Sequence, residues 1–197
     1  MLNIAWKRLR DSGAQFYLTG PNIDSLADSL DDELLQSLYV SRYRTVAVDV
    51  DDRSHVPDEE RIADLEGLWG ILRGATLVFV SSPTRAEHVA VKISEFQRPA
   101  PVSNFTRSVA AWLSDNYHPD WRLVKALQKG IAIHSGPMPR SLQRMMVRLF
   151  ADSLVSTLVC TSTLIEGVNT SAKNGFIYDK KIDRKPIDYF TFSNVQG

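Results

Sequence analysis

Short β-branched runs alternate with stretches of helical periodicity along this chain. The runs fall at 45–50 (TVAVDV), 76–81 (TLVFVS), 131–134 (IAIH), 156–161 (STLVCT), 176–179 (FIYD) and 189–192 (YFTF). Several are apolar nearly throughout, the pattern of strands covered on both faces. Ile62, Leu65, Leu68, Trp69 and Leu72 recur at helical spacing behind the acidic Asp58-Glu59-Glu60, which suits the positive end of a helix dipole. Ala86, Val89, Ala90, Ile93 and Phe96 repeat the pattern after Ser82-Pro83, an N-cap followed by proline at the first helical position. Leu142, Met145, Met146, Leu149 and Phe150 mark another helix, entered through Pro139, and two more fit around 112–113 and 121–127. Strand alternating with helix predicts an α/β fold, a parallel sheet flanked by helices.

The first residues read differently. The run 15–19 (QFYLT) ends at Gly20-Pro21-Asn22, a turn signal, and a polar helical stretch at 23–38 separates it from the strand at 45. This divides the chain into 1–24, the tail of a preceding domain; 25–44, a connector; and 45–197, the main α/β domain. An N-terminal edge strand of the same sheet is the competing reading of 15–19.

In parallel sheets ligands collect at the carboxyl ends of strands, so the residues following each strand carry the information. After 76–80 come Ser81-Ser82-Pro83, hydroxyls at a helix start where free N–H groups would seat a phosphate. Taken alone, this feature is better explained as helix capping by Ser82. After 131–133 come His134, Ser135, Gly136, two prolines and Arg140. Glycine there admits close backbone approach, and His134, with no nucleophile pattern beside it, reads as a packed, hydrogen-bonded residue. After 156–160 the chain runs Thr161-Ser162-Thr163-Leu164-Ile165-Glu166-Gly167-Val168-Asn169-Thr170. Hydroxyls and amides suit phosphate oxygens, glycine and asparagine suit a ribose edge, and Glu166 stands without a second carboxylate or a metal-ligand set.

Composition narrows the field. Lysine plus arginine equals aspartate plus glutamate at 23 each, so a broad basic face for gripping duplex DNA is not expected. The single cysteine, Cys160, allows no internal disulfide and no zinc pattern, which fits a reducing cytosol. The longest apolar run, 75–80, is too short to span a bilayer, and no signal-peptide pattern opens the chain.

The segments TLVFVSSP (76–83), GIAIHSGPMPRSLQ (130–143) and LVCTSTLIEGVNTSAKN (158–174) resemble, in order and spacing, motifs IV, IVa and V of superfamily 2 helicases, the Ski-like DEAD/DEAH-type branch above all. Phe192, Asn194 and Gly197 resemble the lead-in to motif VI, and 16–22 more weakly resembles the segment after motif III of the first motor domain. The resemblance implies a RecA-like fold, the helicase C-terminal motor domain of the P-loop NTPase type, ending before motif VI. It implies that Ser81, Ser82, Gly136, Gln143, Thr161 and Thr163 lie along a single-stranded DNA or RNA backbone. It implies that Glu166, Gly167 and Asn169 face ATP, whose Mg2+ and phosphates would be held mainly by a first RecA-like domain.

The chain departs from a full motor. It has no GxxxxGK[ST] loop, no Asp-Glu metal motif and no motif VI arginine, so no complete catalytic set and no metal site is expected, and hydrolysis by this chain alone should be undetectable. His134-Ser135 stands where the family often has two histidines, and Gly175 stands at the start of a strand expected to be buried. A non-catalytic RecA-like interaction module is the competing function. A dehydrogenase would need a GxGxxG turn that is absent. The basic run Lys180, Lys181, Arg184, Lys185 is interrupted by Asp179 and Asp183 and reads as a solvated loop rather than a nucleic-acid patch.

Overall fold

The computed structural model describes residues 7–9, 11–13, 15, 39, 49–98, 101–164, 172–182 and 185–186. The chain separates into two compact units, Met1–Thr45 and Val46–Gly197. In the first, residues 7–9 and 11 are helical, and the Ser12 hydroxyl donates to the Leu9 carbonyl (2.7 Å). The elements below all belong to the second.

Four strands, β1 (Thr76–Phe79), β2 (Ile131–His134), β3 (Thr157–Cys160) and β4 (Asn174–Ile177), form one parallel sheet in the order β2-β3-β1-β4. A two-residue antiparallel pair, β5 (Lys181–Ile182) with β6 (Lys185–Pro186), lies apart. The helices are α1 (Arg61–Trp69), α2 (Pro83–Phe96), α3 (Asn104–Asn116), α4 (Arg122–Leu127) and α5 (Arg140–Ala151). The expected α/β architecture is therefore present.

β1, β2 and β3 are buried along their whole length, as continuous apolar strands require, although β2 stands at one end of the order. Right-handed crossovers explain how. From β1 the chain travels through α2, α3 and α4 to β2 at one edge; from β2 it returns through α5 to β3. These journeys run in opposite directions across the sheet, so right-handed connections place α2–α4 on one face and α5 on the other. Phe79, Ile93, Leu113, Leu127 and Leu158 are among the fully buried side chains of the resulting core, with Met146, Leu149 and Phe150 from α5.

Local chemistry sets the element ends. Ser82 caps α2, its hydroxyl accepting from the Arg85 amide (3.3 Å), with Pro83 at N1. Ser103 caps α3 by accepting from the Thr106 amide (3.0 Å). Helix α5 ends in a six-to-one, five-to-two closure: Leu154 N–H donates to Leu149 O (2.8 Å) and Ser153 N–H to Phe150 O (3.0 Å). This places Ser153 at φ 57°, a left-handed conformation that glycine adopts without steric cost. Ser153 is exposed, so replacement meets no packing constraint. Ser153→Gly is expected to raise stability by about 0.5–1 kcal/mol, the strain relieved less the added freedom of the unfolded chain. Urea unfolding with an unchanged or lower midpoint would contradict that assignment.

Two expectations are revised, at the strand 176–179 and at Gly175, and others fall wholly or partly outside the described residues. The run 45–50 lies outside the described residues except for Asp49 and Val50, which are exposed and outside any strand. The last sheet strand is shifted to Asn174–Ile177, because Asn174 anchors it: its side-chain amide donates to Arg73 O (3.1 Å) and Thr76 Oγ1 (3.2 Å). Gly175 is exposed, on a strand β4 that is only partly buried, so the missing side chain leaves no hole in the core. The runs at 16–19 and 189–192 and the helical stretch at 23–38 lie outside the described residues.

Candidate nucleic-acid interface at the carboxyl edge

Strands β1 and β3 are neighbours whose following connections leave in opposite directions, β1 toward β2 and β3 toward β4. Their carboxyl ends therefore flank a topological switch point, where open α/β sheets form their ligand crevice. Ser81-Ser82 leave from one side of it and Thr161-Ser162-Thr163 from the other.

On the β3 side, Thr161 is buried and its amide donates to His134 O (3.2 Å), tying the loop to the end of β2. Its hydroxyl meets that of Thr163 at 3.1 Å. Ser162 and Thr163 are exposed and begin a single 3-10 turn, Ser162–Leu164. A Cβ on Gly136 would sit 3.3 Å from Thr163 Cγ2, so the glycine admits the β3 loop against the β2 loop. Gln143 holds the β2 loop from α5. Its Nε2 donates to the carbonyls of Ser135 (3.1 Å), Gly136 (3.1 Å) and Met138 (2.9 Å), which commits the amide to the protein's own backbone.

On the β1 side, Ser81 is engaged through both backbone and side chain. Its amide and its hydroxyl each donate to Asp179 Oδ2 (2.8 Å). Arg85 adds Nε to Oδ2 (2.9 Å) and Nη2 to Oδ1 (2.6 Å), and Arg61 lies 3.8 Å from Oδ1 while donating to Tyr178 O (3.2 Å). Arg61 also pairs with Asp58. The hydrogen bond that Arg85 donates to Asp179 raises the Arg85 pKa above its usual value. The Arg85 guanidinium lies 5.4 Å from the Tyr178 ring centroid, and burial pushes the Tyr178 phenol upward. Asp179 is 5% exposed. That overturns its reading as one acid of a solvated loop: it closes β1, β4 and α1 around one carboxylate. Asp183 and Arg184 lie outside the described residues.

Ser81, Ser82, Gly136, Gln143, Thr161 and Thr163 thus all sit at one edge, with distinct chemistry. Ser82 caps, Gln143 and Asp179 brace, and Ser162 and Thr163 are exposed. Glu166, Gly167 and Asn169 lie outside the described residues. Among the described residues no group of three histidine, cysteine or carboxylate side chains gathers to hold a metal ion, and no helix is long and apolar enough to cross a membrane.

His134 and Cys160 are buried side by side in register at the ends of β2 and β3. Burial pushes the Cys160 thiol up to about 12, so it is no nucleophile at neutral pH. His134 is packed as expected, but its Nδ1 has no hydrogen-bond partner among the described residues. Burial lowers its pKa from the ordinary value. The unfolded chain therefore binds this proton at higher pH than the folded one. Stability from the neutral imidazole is full above about pH 6.5 and is lost as pH falls through that value toward the lower folded pKa. Urea midpoints measured between pH 7.5 and 5 are expected to fall less steeply in His134→Leu than in the native chain; parallel curves would exclude this origin.

No family model matches the chain. It is 36% identical over its full length to anti-bacteriophage protein B of Escherichia coli (strain K12), spanning 27% of that protein. Over 53% of the chain it is 31% identical to the ATP-dependent DNA helicase Hel308 of Pyrococcus horikoshii, spanning 15% of it. The C-terminal domain of the DEAD-box protein Dbp5 superposes on 69% of the chain and 60% of its own, at 14% identity and a TM-score of 0.44. The chain thus spans about a quarter or less of these two sequence relatives. Over about half of its length the chain is thus similar in sequence to part of a helicase, and it carries a parallel sheet flanked by helices.

Proposed function

We propose that the chain is the second motor domain of an ATP-dependent nucleic-acid helicase, supplying one wall of an ATP cleft and part of a single-strand grip. The observation that carries this reading is the switch point between β1 and β3, where exposed Ser162 and Thr163 follow Thr161 on a loop that packs against the β2 loop at Gly136, itself held by Gln143. A short row of hydroxyls at a loop suits a phosphodiester backbone, which takes hydrogen bonds from neutral hydroxyl and amide donors as well as from cations. That also fits a chain with no net charge.

In this reading Thr161 orients Thr163 toward the strand. Gln143 is a positioning residue that fixes the carbonyls of the β2 loop, and Asp179 does the same for Ser81. Gly136 sets how closely the two loops approach. Glu166, Gly167 and Asn169 would face ATP, with Mg2+ and the phosphates held by a first RecA-like domain; bound there, the nucleotide supplies phosphoryl-transfer energy. The end-to-end likeness to anti-bacteriophage protein B favours a role in defence against phage over repair or RNA turnover.

The test is ATP hydrolysis by the complete helicase that contains this domain, with and without single-stranded DNA and RNA. Polymer-stimulated hydrolysis is expected, and Gly167→Val with Asn169→Ala should reduce it to background while the urea midpoint stays put. A folded protein with no hydrolysis under any condition would instead favour a non-catalytic RecA-like docking module.

A further inference from the structure

At the opposite, amino end of the sheet the charges are arranged differently. A cleft of about 140 Å³ opens there, lined by Trp69, Arg73, Thr76, Gln97, Arg98 and Ser156 among others, with no carboxylate among the described residues of its wall. Both arginines are exposed. Among the described residues neither has a carboxylate within ion-pairing distance, and nor do the neighbouring Lys129 and Lys173. Among the described residues Arg73 makes only carbonyl contacts, to Gly70 O (3.3 Å) and Leu72 O (2.9 Å). At the carboxyl edge, by contrast, Arg61 and Arg85 are both matched to aspartates.

The neutral donors around the cleft are held in place. Gln97 is pinned by Nε2 to Lys129 O (2.8 Å) and by Oε1, which accepts from Thr157 Oγ1 (3.0 Å). The Ser156 hydroxyl makes only long contacts of 3.4–3.5 Å, so its proton is poorly committed. Gly74, at φ 89°, turns the chain into β1, and a Cβ there would lie 2.8 Å from Lys173 Cδ. The glycine therefore lets the Lys173 stem lie against the backbone at this edge.

We propose that this amino-end cleft is a phosphate-binding site, with Arg73 and Arg98 as its charged ligands and Ser156 as a neutral donor. Unpaired guanidinium groups flanking a small hydroxyl-bearing cleft suit a phosphoryl oxyanion, because each arginine presents donors in a fixed fork. The volume accommodates one phosphate group, and the cleft is open enough for that group to belong to free phosphate, to a nucleotide or to a nucleic-acid backbone. The site is separate from the carboxyl-edge strip and stands whether or not that strip grips a strand.

The test titrates the 197-residue chain with inorganic phosphate, with a mononucleotide and with a single-stranded oligonucleotide of about ten nucleotides, followed by NMR. Trp69 lines the cleft, so its indole N–H resonance reports the site directly. Saturable shifts of Trp69 and of the amides around Arg98 and Ser156 are expected with inorganic phosphate. Arg98→Gln and Arg73→Gln should each weaken binding by about tenfold, the worth of one charge-assisted contact. Lys92→Gln, which breaks an exposed pair with Glu95 elsewhere, should not. A well-dispersed spectrum checks that each variant is folded.

If the oligonucleotide binds more tightly than phosphate through the same resonances, and Arg98→Gln flattens its salt dependence, the phosphate is that of a nucleic-acid backbone. If phosphate and mononucleotide bind and the oligonucleotide does not, the ligand is a free phosphate ester. Shifts that do not saturate, or that survive both arginine substitutions, would overturn the proposal. So would tighter binding of a polyglutamate peptide than of every phosphate ligand.

Discussion

Asp179→Ala is expected to destabilise the fold by about 3–5 kcal/mol, the cost of breaking a buried ion pair by deleting one partner. The side chain is 7% exposed, and that of Arg61 beside it 10%. Without Asp179, the only carboxylate left to Arg61 among the described residues is Asp58, whose side chain is largely in water, beside the Tyr178 carbonyl. The Ser81 amide and hydroxyl both lose their acceptor, adding an unsatisfied-donor penalty. Arg85 is the less affected partner, since its half-exposed guanidinium can return to solvent. Asp179→Asn should cost less, because its carbonyl still accepts from Ser81. Urea unfolding of the three proteins, with unchanged slopes, measures these differences. A loss within about 0.5 kcal/mol for Asp179→Ala would mean that water reaches the cluster and that Ser81 is not held by it.

Why this hub was invisible in the sequence is instructive. Asp179 sits in a run of alternating charge, FIYDKKIDRK, and such runs are usually solvated. Its partners lie 98 and 94 positions away, at Ser81 and Arg85. Local pattern carries period and polarity; it does not say which strand will lie beside which. That pairing, β4 against β1, brings a carboxylate after one strand to a serine after the other. The same ignorance made Gly175 look like a defect. In an inner strand it would leave a gap, whereas on β4 it faces outward.

What was legible obeyed local rules. Ile131–His134 was read from its apolar run alone, and α2 from a serine, a proline and a helical stripe. The hydroxyl-rich stretch after β3 announced itself because hydroxyls at strand ends need partners. Which partner each one takes was not legible. Thr161 turns to Thr163, Ser81 to Asp179, and Ser82 to its own helix, so three similar residues have three different degrees of freedom to meet a ligand. Gln143 shows the limit most plainly. Its place on the helix behind Gly136 follows from spacing, but its three carbonyl contacts make it a brace for the loop.

Leu149→Ala is expected to cost about 2–5 kcal/mol, from lost transfer energy and from the cavity left behind. Leu149 is fully buried on α5, within the stripe Leu142, Met146, Leu149, Phe150 that covers one face of the sheet. The loss should fall toward the upper part of that range, because the surroundings are poorly placed to collapse. Strands β2 and β3 fix the floor by their ladder, and the Leu149 carbonyl is held in place by the Leu154 amide. The consequence should also reach the carboxyl edge, since α5 carries Gln143 and Gln143 braces the β2 loop. Hydrogen exchange at the Met138 amide, which donates to Ser135 O (3.2 Å), is therefore expected to speed up in Leu149→Ala. A stability loss within about 0.5 kcal/mol would place Leu149 outside the core. A large loss with unchanged exchange at Met138 would mean that the loop is held by Gln143 alone, independently of how firmly α5 is seated on the sheet.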